Sequence, residues 1–271
     1  MAGTGGPVFD AERRRHMAAA FLEGGDHYHR VRPGYPADSL DWLLAGTTSP
    51  VQDVLDVGAG TGKYTQLLAQ QGWAITAVDP SADMLAQLAA SLPGARTMVG
   101  TAEHLELADA SMDLAVVAQA WHWCDPLAAS TEIARVLRPG GTLGLVWNQL
   151  DVGIPWVHRL ARIMHAGDVH KPDFRPAVGP EFSVAQPHDS RWSQTMTPEG
   201  IMELAKSRSY YLKASEHTRA KVMANLAWYF FEHLGHAPGQ ELELPYVAQS
   251  WRSRKLKQTA PTLDSSQSHP L

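Results

Sequence analysis

A single cysteine, Cys124, excludes any disulfide within the chain, which suits a reducing compartment. No apolar run approaches the ~20 residues that span a bilayer. The opening Met1 to Pro7 segment also lacks the apolar centre of a secretion signal. Positive charge is short: 23 Lys and Arg stand against 28 Asp and Glu, for a net charge of −5. Such a balance shows no basic stripe for a phosphate backbone, so no nucleic acid is expected as partner. Metal-ligand spacing is missing too. His158 and His165 are seven apart and His165 and His170 five apart, so neither makes the i, i+4 pair with a nearby acid that zinc hydrolases use. There is no internal repeat. The expectation is a soluble, cytoplasmic protein without membrane or metal, monomeric or a homodimer.

What is present is a 44% apolar composition over 271 residues, enough for one large α/β domain. Residues 1–12 are Gly-rich and 255–271 polar, and both ends are expected to be disordered. Between them, apolar strand-like runs alternate with helical patterns. Strands are expected at Val51 to Val57, Ala74 to Val78, Ala95 to Val99, Leu114 to Ala118 and Thr142 to Trp147. Helices are expected around Tyr64 to Leu68, after the cap Ser81, and from Pro126 to Leu137. This alternation implies parallel strands with right-handed crossovers and helices on both faces. The second half is less regular. A helix is expected near Trp156 to His165, a long loop from Gly167 to His188, a capped helix after Thr197-Pro198 and a long helix from Glu216 to His233. Leu242 to Ser250 is expected as a final edge strand, because Pro245 favours an edge.

The strongest local signal is Asp56-Val57-Gly58-Ala59-Gly60-Thr61-Gly62 at a strand-to-helix turn. Glycines there let the backbone turn sharply and let a ligand approach, and the N–H groups opening the next helix favour an anion. A dinucleotide fingerprint would need glycine where Lys63 stands, and a P-loop would need Ser or Thr where Tyr64 stands. Asp79 ends the next strand, 23 residues after Asp56, where a carboxylate can accept both hydroxyls of a ribose. The alternative is a glycine bend with no ligand.

The G-x-G-x-G pattern resembles the first motif of class I S-adenosylmethionine-dependent methyltransferases. Gly100-Thr101-Ala102-Glu103 resembles that family's adenine-binding segment, although many relatives carry Asp where Thr101 stands. Ser111-Met112-Asp113 and Val136-Leu137-Arg138-Pro139-Gly140-Gly141 also match. Gln119-Ala120-Trp121-His122-Trp123, with Tyr28-His29-Arg30-Val31-Arg32-Pro33-Gly34-Tyr35-Pro36, resembles the trans-aconitate methyltransferase-like, small-molecule subgroup.

The resemblance implies a Rossmann-like, doubly wound, seven-stranded mixed sheet whose last strand is antiparallel, with helices on both faces and an N-terminal lid. Its parts would be lid helices in 13–48, a cofactor-binding core in 49–150, and a C-terminal part in 151–254 of the same domain with substrate-side insertions. It implies S-adenosyl-L-methionine as cofactor and S-adenosyl-L-homocysteine as product. The cofactor set would be Asp56, Gly58, Gly60, Thr61, Asp79, Pro80, Met84, Thr101, Ala102, Glu103 and Gln119. Tyr28, Arg32, Tyr35, Trp121, His122, Trp123, Trp147 and Arg208 would line the acceptor site. Aromatic rings suit a cationic sulfur, and Arg32 and Arg208 suit an acidic substrate. His122 is a candidate general base, or only a pocket-shaping residue. The implied activity is methyl transfer to a small molecule through a carboxyl, hydroxyl or amine. The alternative is a non-catalytic module that keeps the fold.

Overall fold

The structure is a computed structural model that describes residues 31–166, 170 and 173–257. Its elements, in chain order, are α1 (Ala37–Leu44), β1 (Asp53–Val57), α2 (Thr65–Ala69), β2 (Ala74–Asp79), α3 (Ala82–Ser91), β3 (Arg96–Val99) and β4 (Met112–Ala118). There follow α4 (Pro126–Val136), β5 (Leu137–Leu150), α5 (Pro155–Ile163), β6 (Gln186–Met196), α6 (Pro198–Lys206), α7 (Ser209–Lys213), α8 (Glu216–Ala227) and β7 (Leu242–Arg254). Among the described residues, no helix is long and apolar enough to cross a membrane.

The seven strands lie in the order β3-β2-β1-β4-β5-β7-β6. The first five strands of the chain pair in parallel, and β7 runs antiparallel to both β5 and β6. This is the mixed sheet expected from the family pattern. Central strands are apolar on both sides because both faces are covered. On one face Leu55, Val57, Ala115, Val117, Leu143 and Leu145 pack with Ile133 and Ala134 of α4. On the other, Val54, Leu114, Val116 and Val146 pack with Leu40 and Leu43 of α1 and Leu67 and Leu68 of α2. The period-two alternation of strand side chains divides the residues this way.

Helix starts follow local chemistry. Ser81 accepts from the Met84 N–H, Asp125 from Leu127 and Ala128, and Thr197 from Gly200. The long helix continues past Ala227 as a π-helix through His233.

Two expectations need correction. The 242–250 strand is internal rather than an edge. Pro245 is tolerated because its carbonyl faces the end of β5, where Asp151 N–H donates to it at 3.0 Å, so its missing donor falls where that ladder stops. The true edge is β6, whose first residues had been expected in the loop that reaches His188. Its sequence is mostly polar, with Trp192 and Met196 only partly buried and Ser190 alone fully buried, so period-two hydrophobicity is too weak to mark it.

Candidate active site

The carboxyl ends of β1, β2, β4 and β5 meet on one rim, together with the start of antiparallel β7. Open α/β sheets bind ligands outside such a rim. Here the glycine turn leaves β1 with Gly58 at φ 68° and Gly60 at φ 54°. Gly58 and Ala59 donate to the Val78 carbonyl at 2.7 and 3.1 Å, which locks the turn onto β2. A Cβ on Gly58 would lie 2.4 Å from that of Ala120, so the turn and the chain leaving β4 approach closely.

Asp79 is the centre of this corner. Its carboxylate accepts from Gly60 N–H and from Ser81 N–H, each at 2.8 Å. Gly100 N–H donates to its carbonyl at 3.2 Å. Burial raises the Asp79 pKa, and the Ser81 and Gly60 N–H groups oppose that rise. A carboxylate offers roughly four lone-pair sites, so about two remain for further donors.

Beneath the turn, Asp56 is fully buried and accepts from Thr65 Oγ1 at 2.7 Å. Its other oxygen, and the buried Thr61 hydroxyl, have no hydrogen-bond partner among the described residues. Burial pushes the Asp56 pKa up to about 7. A carboxyl that binds its proton more tightly when folded stabilises the fold at low pH, and that contribution is lost as pH rises through about 7. Asp56→Asn should therefore flatten the fall in melting temperature between pH 5 and 8, and should be the more stable form at pH 8. Thermal melts across that range check it, and an unchanged slope would contradict it.

The third wall is the segment after β3. Ala102 is buried and Thr101 exposed, and Thr101 bridges to His104. Glu103 accepts from the Asp125 N–H at 2.7 Å, so its carboxylate anchors the start of α4. Met84 is buried, its sulfur 3.6 Å from where a Cβ on Gly60 would lie, while Pro80 is exposed.

After β4, Gln119 sits at φ 56°, a conformation rare outside glycine. It is held there by its N–H to Val146 O at 2.8 Å and by its side-chain amide to Asn148 O at 2.7 Å. Asn148 in turn donates to Gly34 O and accepts from Trp192 Nε1. This residue, absent from the sequence-based set, ties the segment before α1 to the rim. An Asn at a strand end next to a tryptophan was the available signal.

His122 Nδ1 accepts from Trp147 Nε1 at 3.3 Å, and its ring lies 4.4 Å from that of Trp123. Trp147 meets His170 and Phe174 edge-on, and those two rings stack at 3.6 Å. Trp121 lies in the core, its indole N–H donated to Ala177 O at 3.0 Å. Tyr35 packs edge-on against Tyr64. Arg32 donates to Ser207 O at 3.0 Å. Arg208 is buried, and the charges of Arg208 and Arg32 both act on Tyr246, whose phenol is pushed up to about 12 by burial. The Tyr246 hydroxyl is buried and has no hydrogen-bond partner among the described residues. Tyr246, His170 and Phe174 had no motif to mark them. Tyr28 and the rest of the expected lid before residue 31 lie outside the described residues.

The methyltransferase-domain family matches residues 55–145. A methyltransferase of Mycobacterium tuberculosis, named as uncharacterized, is 41% identical over 235 residues, 86% of this chain and 95% of its own length. A malonyl-[acyl-carrier protein] O-methyltransferase of Methylococcus capsulatus is 38% identical over 147 residues, covering 51% of this chain and 53% of its own. Among solved structures, a protein classed provisionally as a type II methyltransferase from Anaeromyxobacter dehalogenans superposes with a TM-score of 0.62. It is 23% identical and covers 83% of this chain and 98% of its own.

Proposed function

The chain belongs to the S-adenosylmethionine-dependent methyltransferases, and from that premise we propose that it methylates a small molecule through a carboxyl, hydroxyl or amine, with S-adenosylmethionine held on the β1–β2 rim. The carrying observation is the Asp79 corner: a carboxylate with spare acceptor sites beside a glycine turn whose Cβ positions must stay empty. The orphaned Thr61 hydroxyl and Asp56 oxygen add polar atoms that a bound polar ligand or its water can satisfy. When bound, S-adenosylmethionine supplies a methyl already activated by its sulfonium. The residues of the chain then have to hold an acceptor in line and keep water out.

Of the three acceptor groups, a carboxyl fits best. Two guanidinium groups act on the buried Tyr246 phenol on the same rim, and planar guanidinium forks match carboxylate oxygens. The relative in Methylococcus capsulatus is an O-methyltransferase, which agrees with oxygen as the nucleophile. A carboxylate needs no base. His122 suits this, because an Nδ1 that accepts from Trp147 leaves the imidazole hydrogen on Nε2. The neutral ring is then a donor that orients an acceptor oxygen.

The test is the full chain with methyl-labelled S-adenosylmethionine and panels of small acids, phenols and amines. Label should appear in acids; transfer to none of the panel, despite tight cofactor binding, would favour the non-catalytic module. With the acid in hand, His122→Ala should raise its KM about tenfold, the scale of one lost hydrogen bond to a charged group. Its kcat and S-adenosylhomocysteine affinity should stay near wild type. A hundredfold fall in kcat with loss of the low-pH limb would restore the general-base role.

A further inference from the structure

Residues of helices α5 and α8, which share one core cluster, line a cavity of about 830 Å³. His158, Arg159 and Arg162 come from α5, and His217 and Lys221 from α8. The spacing of four between His158 and Arg162, and between His217 and Lys221, places each pair on one helix face. His165 joins them from the turn after α5. Among the described residues that line the cavity there is no Asp or Glu, although the chain as a whole carries a net charge of −5. Arg162 and Lys221 have no ion pair among the described residues. Arg159 is steadied by the faces of Trp228 and Tyr229, at 5.4 and 5.5 Å, which position its charge without cancelling it. His165, at φ 49°, stacks on Tyr210, another lining residue, with ring centroids 3.9 Å apart.

None of these residues belongs to the cofactor corner, the His122–Trp147 pair or the Arg32–Arg208–Tyr246 group. Three fixed positive charges in one concavity repel one another, and an anion relieves that repulsion. The volume lies in the range of small-molecule sites, roughly 300–1,000 Å³. The donors come from two different helices. A phosphate group, with three terminal oxygens pointing in different directions, can meet both; a flat carboxylate meets one.

We propose that this cavity binds a phosphate-bearing small molecule, at a site separate in its residues from the one that transfers methyl groups. The site stands or falls independently of the transfer reaction.

Calorimetric titration of the full chain tests it, with pyrophosphate and citrate as probes. Pyrophosphate should bind at least about tenfold more tightly than citrate, and more weakly as salt rises. The double variant Arg162→Gln/Lys221→Gln should lose at least about tenfold in pyrophosphate affinity, the effect of removing charge-assisted contacts. Both side chains are exposed, so the melting temperature and S-adenosylhomocysteine affinity should not change. Asp79→Ala, which damages the cofactor corner, should leave pyrophosphate binding intact. No pyrophosphate binding at millimolar concentration overturns the proposal. So does citrate binding as tightly, or full affinity in the double variant.

Discussion

Replacing Asp79 with alanine should weaken S-adenosylhomocysteine binding by about 3 kcal/mol, somewhat more than a hundredfold. Two losses combine. The carboxylate proposed to accept the ribose hydroxyls is gone, and hydrogen bonds to charged groups each contribute about 1.5–3 kcal/mol. The glycine turn also loses its tie, because the same carboxylate holds Gly60 N–H and Ser81 N–H at 2.8 Å. Asp79→Asn separates the two. Its amide keeps one acceptor oxygen for the turn but gives up the charge and presents donors where acceptors are needed. Its affinity should fall between wild type and the alanine variant. Isothermal titration with S-adenosylhomocysteine reads both, and an alanine variant within threefold of wild type would place the sugar elsewhere.

The second large effect is expected at Gly58. Alanine there meets two separate penalties. An L-residue at φ 68° costs about 1–2 kcal/mol. A Cβ placed 2.4 Å from that of Ala120 forces the turn and the β4 exit apart, at about 1–3 kcal/mol for overpacking. Their sum, ~2–5 kcal/mol, corresponds to a fall in melting temperature of roughly 5–15 °C for a domain of this size. Cofactor affinity should fall with it, since the displaced backbone is the floor of the corner. Adding Ala120→Gly removes the overlap but not the backbone strain. The double variant should therefore recover part of the loss, a coupling that a thermodynamic cycle measures. A single variant that melts within 2 °C of wild type would contradict the close approach.

The parts of the molecule that could be read from the sequence are those where one residue type has one physical reason. Gly58 and Gly60 adopt positive φ, Asp79 closes β2, Ser81 and Thr197 cap helices, and the central strands are apolar because both faces are buried. The parts that could not are made by pairing. Strand β6 is mostly polar and takes its place by bonding to β7 and by side-chain contacts to distant residues such as Asp38 and Asn148. Tyr246 reaches the rim only because β7 runs back along β5, opposite Leu150. The tautomer of His122 follows from Trp147, 25 residues away, and Glu103 is engaged by Asp125. Such partners are set by the register of the sheet, which no local pattern in the chain announces.

The return of β7 between β5 and β6 also orders events during synthesis. The glycine turn, Asp79 and Ser81 all lie before residue 90, in sequentially adjacent strand–helix units. The phenol at Tyr246 arrives about a hundred residues after the strand it must join, and only then does the inner wall of the sheet close. Contacts of such sequence separation form slowly. A ribosome-bound fragment ending shortly after Leu150 would leave one side of β5 unbonded and open to another chain's strand. In this protein the half that carries Asp79 and the glycine turn can assemble first, and the half that carries Tyr246 is the last to be sealed.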